Sequence, residues 1–264
     1  MKKLLSAAIA MLALLGLISC RLMGDPEAAI DFLRPESLRF DASLHLTLEA
    51  SSTRIPLTGA VRGEMTREPR VFHGTIRAGL QSLPAQMEIY TEEAGEDLLF
   101  YTGVRSGSRT VWRKYRGDLP PMSLLDGPGL LTLLGENRNT GMDKTADGTR
   151  AQRGEGTITA QDLQKMLKAL MLLEGFRGKQ ADHVQKLLDH LDPELRIPYV
   201  CLRDPELGHL LELRVDLTDT VTQALKRQKL GNRMKVPEFT FRLTLRDHNQ
   251  VEPIRIPPEA RTAS

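Results

Sequence analysis

Leu38-Arg39-Phe40-Asp41-Ala42-Ser43-Leu44-His45-Leu46-Thr47-Leu48-Glu49 alternates without a break. Leu38, Phe40, Ala42, Leu44, Leu46 and Leu48 fall on one side, and Arg39, Asp41, Ser43, His45, Thr47 and Glu49 on the other. Successive side chains of a strand point to opposite faces, so this period of two predicts a strand with one apolar face and one wet face.

Further strands are expected at short intervals after it, at Ile55 to Thr66, Val71 to Leu80, Ala85 to Glu93, Asp97 to Arg105 and Arg109 to Tyr115. Turn residues separate them: Glu68-Pro69, Ser82 to Pro84, Ala94-Gly95 and Ser106-Gly107-Ser108. Strands joined by such short turns make an antiparallel meander. The pattern stops at Gly117 to Gly129, with its prolines and glycines, and Glu136 to Gly148 reads as polar loop. One short strand is expected from Thr149 to Ile158. After two helices the strands resume at Leu195 to Arg203 and His209 to Leu217, and end with Phe239 to Arg246 and Val251 to Ile256. Asp219 to Arg233 reads as a polar helix or loop, and the end of the chain from Pro257 as loose.

The first helix opens at Thr159 with Asp162 three residues on, a capping box. Leu163, Met166, Leu167, Leu170 and Met171 then form one apolar stripe, with Gly175 as a stop. A second helix covers about Gln180 to Leu191 and ends before Pro193. The fold class expected is α+β: a single antiparallel, strongly curved sheet with helices on its concave face. The stripe has two readings. It is ordinary core, or it is the adaptable wall of an apolar cavity in which flexible Met and Leu side chains yield to an acyl chain, with Leu44 and Leu46 opposite.

Upstream of the sheet, Lys2 and Lys3 precede an apolar run of 15 residues, Leu4 to Ile18. That is the layout of a secretory signal and too short for a span, which needs roughly 20 apolar residues. The run ends in Leu17-Ile18-Ser19-Cys20, which resembles the lipobox of bacterial lipoproteins, with small Ser19 at the expected cleavage point. Residues 1–19 are therefore expected to be removed. Cys20 would become the lipidated first residue of the mature chain, 20–36 a tether, 37–258 one domain and 259–264 a tail. An ordinary signal peptide with a chance cysteine is the other reading. Two acyl chains anchor a protein firmly where one does not, so Cys20 would hold the domain to the membrane without a transmembrane helix. Arg21, where Asp would be expected for inner-membrane retention, points to the periplasmic face of an outer membrane if the host has two membranes.

Of 264 residues, 36 are basic and 34 acidic. Removing Lys2 and Lys3 with the signal leaves 34 of each sign, which argues against a nucleic-acid partner, since that binding needs a basic footprint. With Cys20 lipidated, Cys201 has no partner for a disulfide and reads as a small core hydrophobe. Basic clusters at Arg105, Arg109, Arg113, Lys114 and Arg116, and at Lys226, Arg227, Lys229, Arg233 and Lys235, read as solvated faces or as contacts for anionic headgroups.

No catalytic constellation is present: neither Gly-x-Ser-x-Gly, His-Glu-x-x-His nor a phosphate-binding glycine loop occurs. His183 and His190 lie two helical turns apart, about 10 Å, too far to share one ion. Asp143-x-Thr145-x-Asp147-Gly148 starts like a calcium loop, but Gly154 stands where the bidentate Glu is required, so a polar turn is expected. No cofactor, metal or enzymatic activity is expected, and oligomeric state is not legible.

Asp41 to Leu48, Leu57-Thr58-Gly59, Tyr90, Tyr101, Trp112-Arg113-Lys114, the Tyr199-Val200 to Leu217-Thr218 hairpin, and Phe239-Thr240-Phe241 to Asn249 to Ile256-Pro257 carry a family likeness. As an arrangement over residues 36 to 258 the chain resembles the DUF6612 family of bacterial lipoproteins, within the lipoprotein-localisation-factor (LolA/LolB-like) superfamily. Thr149 to Ile158 departs from that pattern in lacking an aromatic residue. The resemblance implies an unclosed half β-barrel around helices, with an apolar cavity between them. It also implies an envelope protein that binds or shuttles an acylated ligand, a lipid or a lipoprotein. The alternative is a non-catalytic protein–protein interaction module whose helices fill the cavity.

Overall fold

The computed structural model describes residues 36–118 apart from 51–52, 67–68, 70, 81–82, 96 and 107–108, together with 137–159, 161, 194–227 and 234–263. The alternation of Leu38 to Glu49 forms β1 (Ser37–Ala50), which lies in the middle of a single antiparallel sheet of 11 strands. On one side follow β2 (Thr53–Thr66), β3 (Val71–Leu80), β4 (Leu83–Ala94), β5 (Asp97–Ser106) and β6 (Arg109–Asp118) in chain order. On the other side lie β11 (Lys235–Arg246), β10 (Leu210–Asp216), β9 (Arg196–Arg203), β8 (Arg150–Thr159) and β7 (Arg138–Lys144). Two meanders thus meet where β1 pairs with β11. The sheet is not closed: β6 and β7 are its two ends.

Register turns the alternation into a core. Leu38, Phe40, Ala42, Leu44, Leu46 and Leu48 are all at most 5% exposed. Across the seam, Phe40 faces Leu245, Ala42 faces Leu243, Leu44 faces Phe241 and Leu46 faces Phe239. On the other side Phe40 faces Gly63, and Gly63 faces Gly74 on β3. The Phe40 and Phe72 rings stack at 5.4 Å over that glycine pair. A Cβ on Gly63 would lie 2.2 Å from the His73 carbonyl oxygen and 2.6 Å from Phe40 Cζ, so only glycine fits.

The aromatic residue missing from β8 is supplied by its neighbour. Gly156 faces Tyr199 on β9, and a Cβ there would lie 2.4 Å from the Tyr199 hydroxyl. Gly154 likewise makes room for the buried thiol of Cys201.

Three expectations are corrected. Residues 138–144, read as loop, form β7, whose side chains are exposed except for Asp143, which is half-buried. With no inward apolar set the strand leaves no period to read. Val251 to Ile256 is not a strand. Asp247 and Asn249 adopt left-handed conformations (φ 54° and 61°), and the Val251 amide donates to Ser37 Oγ at 3.1 Å. Pro253, Pro257 and Pro258 have no amide to donate to a ladder. Finally, the tail expected to be loose holds a short helix (Pro258–Arg261) whose Ala260 is wholly buried.

The polar segment after β10 is helical at Thr218–Arg227 (α1), with Val221 and Leu225 buried and its contacts on β11. The short C-terminal helix is α2. Among the described residues the fold is therefore mostly β. The helices expected between Thr159 and Leu191, and their placement on a concave face, lie outside the described residues.

Candidate ligand-binding faces of the sheet

Of the expected cavity residues, Leu44 and Leu46 sit on the apolar face of β1, 1% and 5% exposed. Both are closed off from solvent and form the floor of that face. Leu163, Met166, Leu167, Leu170 and Met171, like Ser19, Cys20, His183 and His190, lie outside the described residues.

The pairing registers show how far the floor extends. Starting from Ala42, one row of facing residues runs Val61, Ile76, Met87, Val104 and Val111 through β2 to β6. In the other direction it runs Leu243, Leu213 and Cys201. Its middle is closed, with Ala42 at 0%, Val61 at 1% and Ile76 at 6%. Its β5–β6 end is open: Val104 is 51% exposed and Val111 55%. Neither valine stood out in the sequence, because a β-branched residue in an edge hairpin needs no explanation beyond strand propensity.

The opposite face differs along its length. On β3 to β6 it carries His73, Tyr90, Tyr101 and Lys114 as consecutive cross-strand partners. His73 stacks on Tyr90 at 4.3 Å, Trp112 lies 5.8 Å from Tyr90, and the Lys114 ammonium stands 5.5 Å from the Tyr101 ring. The C-terminal segment lies over this row, with Ile256 and Ala260 buried against Val71, Tyr90 and Tyr101 and with Ile254 beside them. The Tyr101 hydroxyl donates to Glu92 at 2.5 Å, and Arg261 of α2 pairs with the same carboxylate at 3.0 Å. Burial, and then the bond to Glu92, push the Tyr101 pKa up to about 12.

On β7 to β11 the same face is charged. Glu212 is wholly buried, and its carboxylate accepts from Arg214 Nε at 2.5 Å, from the Ala146 amide at 2.8 Å, and pairs with Arg242 Nε at 3.2 Å. The Ala146 amide belongs to the β7–β8 turn, which reaches the carboxylate from the side of solvent. Arg214 also donates to the Lys144 carbonyl at 3.2 Å. In sequence Glu212 occupies a wet position of an alternating strand, so nothing there signalled its burial.

Beside this cluster lies a groove of about 620 Å³, bordered by Ser43, His45, Thr240, Arg242, Arg214 and Asp216, with Glu238 at one end. Ligand pockets fall in the range of roughly 300–1,000 Å³. The sequence resembling a calcium loop is a polar turn: Asp147 accepts from the Thr145 hydroxyl and, at 3.2 Å, from the Thr149 amide. The Lys144 amide, and then Arg153, hold the Asp143 carboxyl below the usual range. Among the described residues no group of three metal-binding side chains occurs.

At the end of the second meander, His209 and His248 face each other at 4.9 Å. His248 Nε2 is buried with no hydrogen-bond partner, and burial, then His209, hold the His248 pKa below its ordinary value.

No family model matches the chain, and no curated protein matches it. Among solved structures, a DUF1329 family protein from Desulfovibrio piger is 9% identical over 81% of this chain and 85% of its own, with a TM-score of 0.22. A beta-barrel-like DUF1849 protein from Brucella abortus is 11% identical over 80% of this chain and 97% of its own, with a TM-score of 0.21. Superpositions at that level carry no argument about what the chain does.

Proposed function

We propose that the chain is a lipid-anchored protein of the bacterial cell envelope that binds or shuttles an apolar, acylated ligand along the apolar face of its open sheet. One observation carries this reading: the cross-strand row that begins in the core at Ala42 ends in solvent at Val104 and Val111. An apolar row that continues past its own cover is a place for an acyl chain to extend the core. Covering both half-exposed valines contributes about 2 kcal/mol, on the order of thirtyfold in affinity. The lipobox-like Leu17-Ile18-Ser19-Cys20, and the likeness to lipoprotein-localisation-factor proteins, support the location and the ligand class. No helix of the described residues is long and apolar enough to cross a membrane, and a lipid on Cys20 requires none.

The test is native mass spectrometry of the purified full chain after exposure to host membrane lipids. A bound acylated species is expected, lost in Val104→Asp and Val111→Asp, whose exposed sites tolerate the change. A mass without ligand from a cooperatively folded protein would overturn the reading and favour the protein–protein interaction module.

A further inference from the structure

We propose that the groove on the charged face binds a small zwitterion: a phosphate or carboxylate held by Arg242, joined by a short linker to an ammonium group facing Asp216 and Glu238. The site is independent of the acyl-chain reading, since it lies on the opposite face of the sheet.

Three observations carry it. First, the cationic end is built and fixed. Glu212, at 0% exposure, holds both arginines through Nε. Arg242 keeps no other ion pair among the described residues, and its side chain is 49% exposed, so the fork of its guanidinium remains available at the groove. A planar fork fixed at Nε is pre-organised for two oxygens of a phosphate or carboxylate. Ser43, the cross-strand partner of Arg242, places a hydroxyl beside that position.

Second, the anionic end has no cation paired to it among the described residues. Neither Asp216 nor Glu238 makes an ion pair among the described residues, although two arginines stand on the same face. Among the described residues Asp216 accepts the Thr218 amide at the start of α1, at 2.9 Å, through one of its two oxygens. Glu238 is exposed and faces Thr47 across the seam. The arginines, committed to a wholly buried carboxylate, do not neutralise this end.

Third, the spacing suits one ligand. The row that holds Arg242 and Arg214 and the row that holds Thr240 and Asp216 are two residues apart, a step of about 7 Å along a strand. A phosphate and an ammonium separated by two carbons match that step. His45 and Thr240 stand in the same cross-strand row as Asp216 and offer polar contacts beside the ammonium end.

Isothermal titration of the purified full chain with O-phosphoethanolamine tests the proposal, with ethyl phosphate, which lacks the amine, as comparison and glycine as the carboxylate counterpart. The zwitterion is expected to bind about tenfold more tightly than ethyl phosphate. Glu238→Gln, at an exposed residue with no ion pair among the described residues, is expected to reduce that preference, and Arg242→Gln to weaken all three. Competition by phosphatidylethanolamine vesicles, but not by phosphatidylglycerol vesicles, would identify a lipid headgroup as the source, and its absence a free solute. Equal binding of O-phosphoethanolamine and ethyl phosphate by the unaltered chain, or unchanged binding in Glu238→Gln, would overturn the proposal. Because Glu238→Gln leaves the Glu212 cluster intact, it decides the matter even if Arg242→Gln fails to fold.

Discussion

Strands β3–β6 and strands β7–β11 share one apolar row and treat the face behind it in opposite ways. The first arm sets Tyr90, Tyr101 and Trp112 there and is covered by the C-terminal segment of the chain. The second arm sets Glu212, Arg214 and Arg242 there, buries only the carboxylate, and leaves a groove. Aromatic side chains gain free energy by leaving water, so an arm that carries them recruits a cover. Charged side chains lose solvation when covered, so an arm that carries them closes over only what is fully paired. One face of a single sheet therefore holds both a sealed end and an open one, and the open one is where a polar solute has access.

The largest effect should come from breaking the paired end. Glu212→Ala leaves two arginines without their shared carboxylate, the Ala146 amide without an acceptor and a void where the side chain was. A loss of about 3 kcal/mol is expected. For a chain of this size that is a fall in Tm of roughly 6–12 °C in a calorimetric scan. A fall under 2 °C would mean that the second arm is held by its apolar row alone.

Next in size is the removal of the cover. A chain ending at Pro253 lacks Ile254, Ile256 and α2, which pack on Tyr90, Tyr101 and Trp112. Burying one Ile contributes about 2 kcal/mol, and a loss of that order is expected. Trp112 is the single tryptophan, so its fluorescence should shift to the red in the folded truncated chain. An unshifted spectrum would show that the sheet itself, and not the C-terminal segment, shields this face.

Two titrating groups, one in each arm, should also act at opposite ends of the pH scale. Tyr101 titrates at about 12 in the folded chain and near 10 when unfolded. Above pH 10 the unfolded chain releases its proton first, so the stability due to the neutral phenol is lost between about pH 10 and 12. For His248 the sign is reversed. Its folded pKa lies below the ordinary 6.5, so the unfolded chain protonates first and stability falls as pH drops through 6.5 toward the lowered value. His209, Asp204 and Asp247 are the charged and titratable groups whose fields reach His248. Denaturant midpoints measured across pH should show Tyr101→Phe flattening only the alkaline limb and His248→Gln only the acid limb. If either substitution flattened both limbs, the two arms would not titrate as separate regions.

How much of this was legible depends on whether a residue's environment is set within its own strand. Leu38 to Leu48 and Phe239 to Leu245 are visible in sequence because each strand is apolar on one side throughout, and pairing them builds the centre of the sheet. Glu212 is invisible because its burial comes from the turn at Ala146, 66 residues away in sequence. Ile254 and Ile256 read as a strand because their alternation is genuine, but the left-handed turn at Asp247 to Asn249 and three prolines carry them off the ladder and over the aromatic face. Tyr90, Tyr101 and Trp112 lie on three strands, and their clustering needs the register of β4, β5 and β6.

The smallest effect is the most informative about the apolar row. Val104→Thr replaces a methyl by a hydroxyl at a site already half in water, so stability should change by less than about 0.5 kcal/mol. The same exchange at Val61, which is 1% exposed in the same row, should cost about 1–3 kcal/mol, because a buried hydroxyl without a partner loses its solvation. If Val104→Thr instead destabilised the ligand-free protein as much as Val61→Thr, the β5–β6 end would be covered in solution by another part of the chain. The apolar row would then be a closed core from end to end, with no space left on it for an acyl chain.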